Sequence, residues 1–281
     1  MSEWISSNET LLRVLIFSVV FISMALWEMY APFRELKIKK SKRWANNLGL
    51  IVFNTILLRA VFPMAAVGIA VIAEQNNWGL LNNLNWHFTL TVIAAVVLLD
   101  LIIYFQHILM HAIPFLWRLH KVHHADIDFD LTTGLRFHPL EIIISTLIKF
   151  LFIIILGAPV ISVIIFEIIL NGMSIFNHSN IQLPKAIDNF IRWVFVTPDM
   201  HRIHHSIKSK ESNANFSFNF SFWDRLFGTY CKDPDIGQLS MTVGISDFRK
   251  PIDVVNFFGM LFLPFKKKRK SFEEKLSIDI K

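Results

Sequence analysis

The chain has 281 residues, 53% of them hydrophobic, a formal charge of +6 and a mean hydropathy of +0.47. That apolar content exceeds the roughly 45–50% of an ordinary soluble domain and excludes a simple water-soluble globule of this size. The charge does not point to nucleic acid, because the basic residues gather in "FRELKIKKSKR" and "KKKRK", each bordering an apolar segment as membrane orientation requires.

In chain order, the first apolar span covers residues 11–30. It is too long for a secretory signal core and lacks a small-residue cleavage pattern, so it reads as a retained helix. A second span covers 49–72, with a kink expected at Pro63. A third covers 88–111 and carries helix out of the apolar region as far as His111. The apolar stretch 140–176 holds "GAP" at 157–159, a turn signal, and reads as a hairpin of two helices, 140–156 and 160–177. Lys149 and Glu167 lie equally far from Ala158, so such a hairpin brings them to one depth, where an ion pair relieves the cost of lone intramembrane charges. The segment 254–265, "VVNFFGMLFLPF", is too short to span and is expected at the interface.

The first loop carries Arg34, Lys37, Lys39, Lys40, Lys42 and Arg43, whereas "EQNNWGLLNNLNW" has no lysine or arginine, which puts the first loop on the cytoplasmic side. With the hairpin counted as two crossings, every histidine from 107 onward falls at that same face. The expected fold is all-α: one polytopic membrane helical bundle over 1–281 with about five membrane-embedded helices. Residues 112–139 and 178–235 form a cytoplasmic histidine-rich helical cap, and 236–281 an interfacial, basic C-terminal tail.

Ten of the eleven histidines lie between residues 107 and 205. The exception, His87, reads as interfacial. His107 and His111 are i,i+4 neighbours on one helical face, and "HKVHH" (His120, His123, His124) recurs as "HRIHH" (His201, His204, His205). Imidazole suits zinc, copper, iron and nickel, and eight such ligands exceed one closed tetrahedral site, so two metal ions are expected. His138, before Pro139, and His178, at the end of the return helix, are further candidate ligands at the mouths of the hairpin. Asp100, Tyr104, His107 and His111 form one helical stripe, and Asp100, Asp126, Asp199 and Asp224 are candidate carboxylate partners for the imidazoles. The single cysteine, Cys231, excludes a disulfide framework and any Cys-rich zinc or iron–sulfur site.

In "HILMH", "HKVHH", "RFHPLE", "NHSN", "HRIHH" and "FWDRLFGTY", over roughly residues 100–230, the sequence resembles the fatty acid hydroxylase superfamily, which includes sterol desaturases, sterol methyl oxidases and alkylglycerol monooxygenase. It departs at Ile108, where members often carry arginine, and at "NANFSF", where many have Asn-Tyr-Gly. The resemblance implies a helical membrane enzyme with a histidine-rich centre of two iron ions that uses O2 to oxidise a lipid, the ligands being the ten histidines named above. Aliphatic C–H bonds offer no acidic proton, so such chemistry needs a metal or organic cofactor, and no nicotinamide or flavin fingerprint is present. Hydroxylation or desaturation of a lipid from the bilayer is then expected. Electrons would come from a separate cytoplasmic carrier, a cytochrome or ferredoxin type with its reductase. Zinc can substitute at the same imidazoles. A metal transporter and a structural metal-binding membrane protein are the rival readings, although transporter sites sit near the bilayer midplane and these clusters lie beyond the span ends.

Overall fold

A computed structural model describes residues 8–267, and within them every regular element is helical. The segment 268–281, which holds most of "KKKRK" and the end of the tail, lies outside the described residues. The helices are α1 (Glu9–Tyr30), α2 (Lys40–Val61), α3 (Ala66–Gln75), α4 (Phe88–Ala112), α5 (Pro114–His124), α6 (Pro139–Leu156), α7 (Val160–Asn177), α8 (Lys185–Ile191), α9 (Pro198–His204), α10 (Ser209–Ser212), α11 (Phe222–Leu226), α12 (Pro251–Val254) and α13 (Phe257–Phe262). Among the described residues, five spans are long and apolar enough to cross a membrane, with Lys40–Gln75 counted as one.

Two boundaries differ from the sequence expectation. Helix α2 begins at Lys40, nine residues before the expected span, because Arg43 and Asn47 are buried and bond to cap residues Asp126, Asp130 and Thr132. The helix therefore extends beyond its apolar span to meet residues 126–132. At Pro63 the chain breaks rather than kinks: α2 stops at Val61 and α3 starts at Ala66, consistent with a residue that has no amide proton to continue the helix.

The 140–176 stretch is the expected hairpin. His138 accepts a bond from the Leu140 amide as N-cap, Pro139 occupies the first turn, and Gly157 ends α6 at φ 62°. At this far end the backbones of Gly79 and Gly157 touch, so that a Cβ on Gly79 would lie 2.0 Å from the Gly157 nitrogen. The α3–α4 loop is thereby held on the hairpin tip, with Leu80 N donating to Ile155 O at 2.9 Å. His87 belongs to this end, capping α4. Lys149 pairs with Glu167 as expected, and Arg13 of α1 joins them at 2.9 Å.

The main bundle core forms where α3, α4, α6 and α7 meet, around Ala70, Ala95, Leu99, Ile153, Val163 and Phe166. A second core lies under the cap, where Leu50, Val122 and Ala125 pack on Val254, Met260 and Leu263 of the C-terminal segment. That segment turns Phe258, Phe262 and Phe265 outward. Both cores leave α4, α5, α7 and α9 converging at one end of the bundle.

Candidate metal centre

Four short stretches converge at that end. Helix α4 delivers His107 and His111 from its last turns; α5, started by Pro114, carries His120, His123 and His124; His178 caps the C-terminus of α7. Helix α9, with Thr197 as N-cap and Pro198 in the first turn, carries His201 and His204, and His205 ends it.

The nine rings sort into two groups, His107, His111, His120, His124 and His204, and His123, His178, His201 and His205. Within each group one donor atom per residue lies within 4.8 Å of every other member's, the spacing that ligands about 2.0–2.1 Å from a shared ion require. The repeated HxxHH now has a geometric reason. In the α5 box the i,i+4 pair His120 and His124 enters the five-membered group while His123 crosses to the other. In the α9 box the i,i+4 pair His201 and His205 enters the four-membered group while His204 crosses back. The groups abut, with the His124 and His205 rings stacked at 4.5 Å.

The hydrogen bonds fix where the lone pairs point. His107 Nδ1 donates to the Phe216 carbonyl at 2.7 Å, and His204 Nδ1 donates to the Ala214 carbonyl at 2.8 Å. A carbonyl only accepts, so in each neutral ring Nε2 carries the lone pair. Those two Nε2 atoms face each other 2.9 Å apart, an arrangement that is repulsive without a cation. His178 Nδ1 likewise donates to Ser174 O at 2.8 Å, leaving Nε2 3.2 Å from His123 Nε2 and 3.0 Å from His201 Nε2. Four other buried ring nitrogens, His120 Nε2, His123 Nδ1, His201 Nδ1 and His205 Nε2, have no hydrogen-bond partner. Burial holds His178 down to about pH 3 and drives His123, His124, His201, His204 and His205 well below the usual imidazole range. Neutral, desolvated imidazoles with unsatisfied lone pairs are the form a transition metal takes. The residues present fit two such ions.

His138 is not brought into either group. Its Nδ1 accepts from the Leu140 amide and its Nε2 sits 3.2 Å from Leu261 O, so it caps α6 and meets the C-terminal segment. The four candidate carboxylates are also elsewhere, and none hydrogen-bonds to an imidazole. Asp100 Oδ2 accepts from Trp223 Nε1 (2.9 Å) and the Phe220 amide (3.2 Å). Asp199 binds Arg202 at 2.6 Å. Asp126 is held by Arg43, Arg136 and Thr133; burial pushes its carboxyl up, but the two guanidinium groups outweigh that and keep it at about 2. Asp224, raised to about 6 by burial, accepts the Phe216 and Ser217 amides and the Thr229 hydroxyl, which in turn meets Tyr104. Asp224 and Tyr104 thus shape the loop whose Phe216 carbonyl orients His107, without touching the ring.

The carboxylate that does bind a histidine is Glu141, whose Oε1 lies 2.6 Å from His120 Nδ1 with both side chains buried. Sequence reasoning passed over it inside "RFHPLE"; the one acid of a largely apolar helix, placed in its first turn, was the available signal. Also missed was the frame beneath α5. Arg136 reaches the Val122 carbonyl, Asp126 and the Val254 carbonyl, while Glu28 of α1 accepts the Leu131 and Asn180 amides.

Fold and site together define a polytopic membrane protein with a buried all-imidazole centre at one end of its helices. Residues 92–229 match the family model of fatty acid hydroxylases. Over 233 residues the chain is 26% identical to ornithine lipid hydroxylase OlsE of Rhizobium tropici, covering 79% of this chain and 69% of that protein. It is 25% identical over 177 residues to alkylglycerol monooxygenase of Homo sapiens (61% of this chain, 37% of that one). With cholesterol 25-hydroxylase of Mus musculus it shares 29% identity over 147 residues (51% and 47%). The chain therefore spans about two thirds of the first relative and less than half of the other two. No solved structure gives a significant match. Residues 92–229, which carry all nine grouped histidines, therefore match a fatty acid hydroxylase domain, and the relatives similar to this chain are named as lipid hydroxylases and monooxygenases.

Proposed function

We propose that this protein is a membrane di-iron oxygenase that uses O2 to hydroxylate a bilayer lipid, with His107, His111, His120, His124 and His204 around one iron and His123, His178, His201 and His205 around the other. The facing Nε2 lone pairs of His107 and His204, 2.9 Å apart, carry this reading. The net reaction takes a lipid C–H, O2, two electrons and two protons to a lipid alcohol and water. When bound, the irons supply the one-electron and O2 chemistry that side chains lack.

The chain's own groups hold and isolate that centre. The carbonyls of Phe216, Ala214 and Ser174, and the Glu141 carboxylate, fix ring tautomers so that ligand nitrogens face inward. Phe137 stacks on His123, Phe129 on His178, and Phe216 meets His107, His111 and His204 edge-on, an aromatic wall that keeps bulk water from the rings. Asp100, Asp224 and Tyr104 act through the 216–229 loop, and Asp126 through α5. His138 is assigned to helix capping, and Asp199 to Arg202. Electrons come from a separate carrier protein, and the basic first loop supports a cytoplasmic location for the centre.

The relatives are named for hydroxylating an ornithine lipid and cholesterol and for oxygenating alkylglycerols, which favours hydroxylation over desaturation and a lipid as substrate. Lipid extracts from cells with the protein or its His124→Ala variant, grown under 18O2, test this. One lipid class gaining a single 18O only with the intact protein is the expected result. Identical lipid profiles, or oxygen derived from water, overturn it.

A further inference from the structure

Helix α8 and the turn after it are built inside out. The inward face carries charge: Asp188 and Arg192 are buried and paired at i,i+4, and Arg192 also donates to Lys232 O at 3.0 Å. The outward face carries Ile187, Phe190, Trp193 and Val194, with Phe190 80% and Trp193 67% exposed. Water favours the opposite arrangement. Beside this face, Leu226 (68% exposed) and Phe227 at the end of α11 also point outward.

The limb lies against the lipid-facing side of α4. Phe227 stacks on Tyr104 and packs on the exposed Phe105 at 5.1 Å. The Phe220 amide and the Trp223 indole reach Asp100, seven residues back along α4 from His107. At 1.5 Å per residue that is about 10 Å deeper into the spanning helix than the metal centre. Backbone at such depth must satisfy its own polar groups, and this limb does. Val196 N donates to Asn219 O and Ser221 N to Val194 O, each at 3.0 Å, and Ser221 Oγ bonds Arg192 O at 2.6 Å.

We infer that residues 185–195 and 219–227 form a limb embedded in the acyl layer of the leaflet on the metal side, with Phe190, Trp193 and Leu226 in contact with lipid chains. The occupant is lipid because Phe227 joins the patch to the exposed Phe105 of α4 and the backbone at Val194, Val196, Asn219 and Ser221 is paired within the limb. Arg225, stacked between Trp193 (5.1 Å) and Tyr230 (4.2 Å), marks the rim, where a guanidinium meets headgroup phosphates. The metal centre then lies above a lipid-embedded floor rather than on a free cap.

The test is depth-resolved quenching of the full-length protein in phosphatidylcholine vesicles. Phe190→Cys and Trp193→Cys are made separately in a Cys231→Ser background and labelled with bimane. Leu15→Cys on α1 is the lipid reference, and Lys210→Cys the water reference. Acyl-chain-brominated phosphatidylcholine is expected to dim the labels at 190 and 193 as strongly as at 15, while aqueous iodide dims only 210. Quenching at 190 and 193 by iodide, or shielding from both quenchers with cross-linking between two chains, overturns the inference; the second outcome makes the patch an interface between copies.

Discussion

The two histidine groups are made from the same two HxxHH boxes yet are anchored differently. The five-membered group takes His107 and His111 from a membrane-spanning helix, and one of its members, His120, is bonded to a carboxylate. The four-membered group takes nothing from α4; His178 and His205 end their helices, and the outer bond found there, from His178, goes to a backbone carbonyl. The first site thus adds a carboxylate and a long helix to the backbone carbonyls that hold His107 and His204, whereas the second rests on backbone packing at helix ends. Removing the Glu141 charge should strike the first alone, and crowding the backbone beside His178 the second.

The largest effect falls on both groups alike. His123, His124, His178, His201, His204 and His205 stay neutral in the folded chain but take protons when unfolded below about pH 6.5. The unfolded state then binds more protons, so the stability of metal-stripped protein is full above that pH and falls below it. Each of these histidines contributes at most about 1.4 kcal/mol per pH unit. Thermal unfolding in nanodiscs from pH 7.5 to 5 checks this; a stability that rises on acidification contradicts it.

Next come the ligands themselves. His124→Ala and His205→Ala should each remove one metal ion, from different groups, and lower product formation by more than about 100-fold. Loss of both ions in both variants would mean that the groups are not separable. Glu141→Gln should weaken metal at the five-membered group by about 10- to 100-fold and leave the other unchanged, measured by chelator competition; equal weakening of both would erase the proposed asymmetry. The smallest effect is expected from Gly134→Ala. A Cβ there would lie 2.4 Å from Ser174 O and 2.9 Å from His178 Nδ1, so it should cost about 1–3 kcal/mol and loosen only the four-membered group. Unaltered unfolding with unaltered metal content would show that the close packing at Gly134 is not what holds His178.

Much of this difference was legible in part. Hydropathy and the "GAP" turn fix the hairpin, because a spanning helix must satisfy its backbone alone and therefore announces itself locally. The Lys149–Glu167 pair follows from arithmetic about the turn. The i,i+4 spacing of His120 with His124 and of His201 with His205 already contains the two-group division. What the sequence concealed is long-range pairing. Arg43 reads as one more positive charge in a basic loop, yet it is buried against Asp126, more than eighty positions away. Asp100, read as an imidazole partner, faces Trp223 instead, and the imidazole partner is Glu141. Neither exchange leaves a periodic trace, since side chains that meet only after folding impose no local pattern. The inverted face of α8 escaped for a related reason: seven residues are too few to show which side is buried.

Metal content per chain tests the two-group centre most directly. Protein from iron-supplemented cells, reconstituted in nanodiscs and assayed by elemental analysis, should hold two ions per chain, falling to one in His124→Ala and to one in His205→Ala. A single ion in the intact protein, or none after loading with excess ferrous iron, would contradict two adjoining imidazole sites.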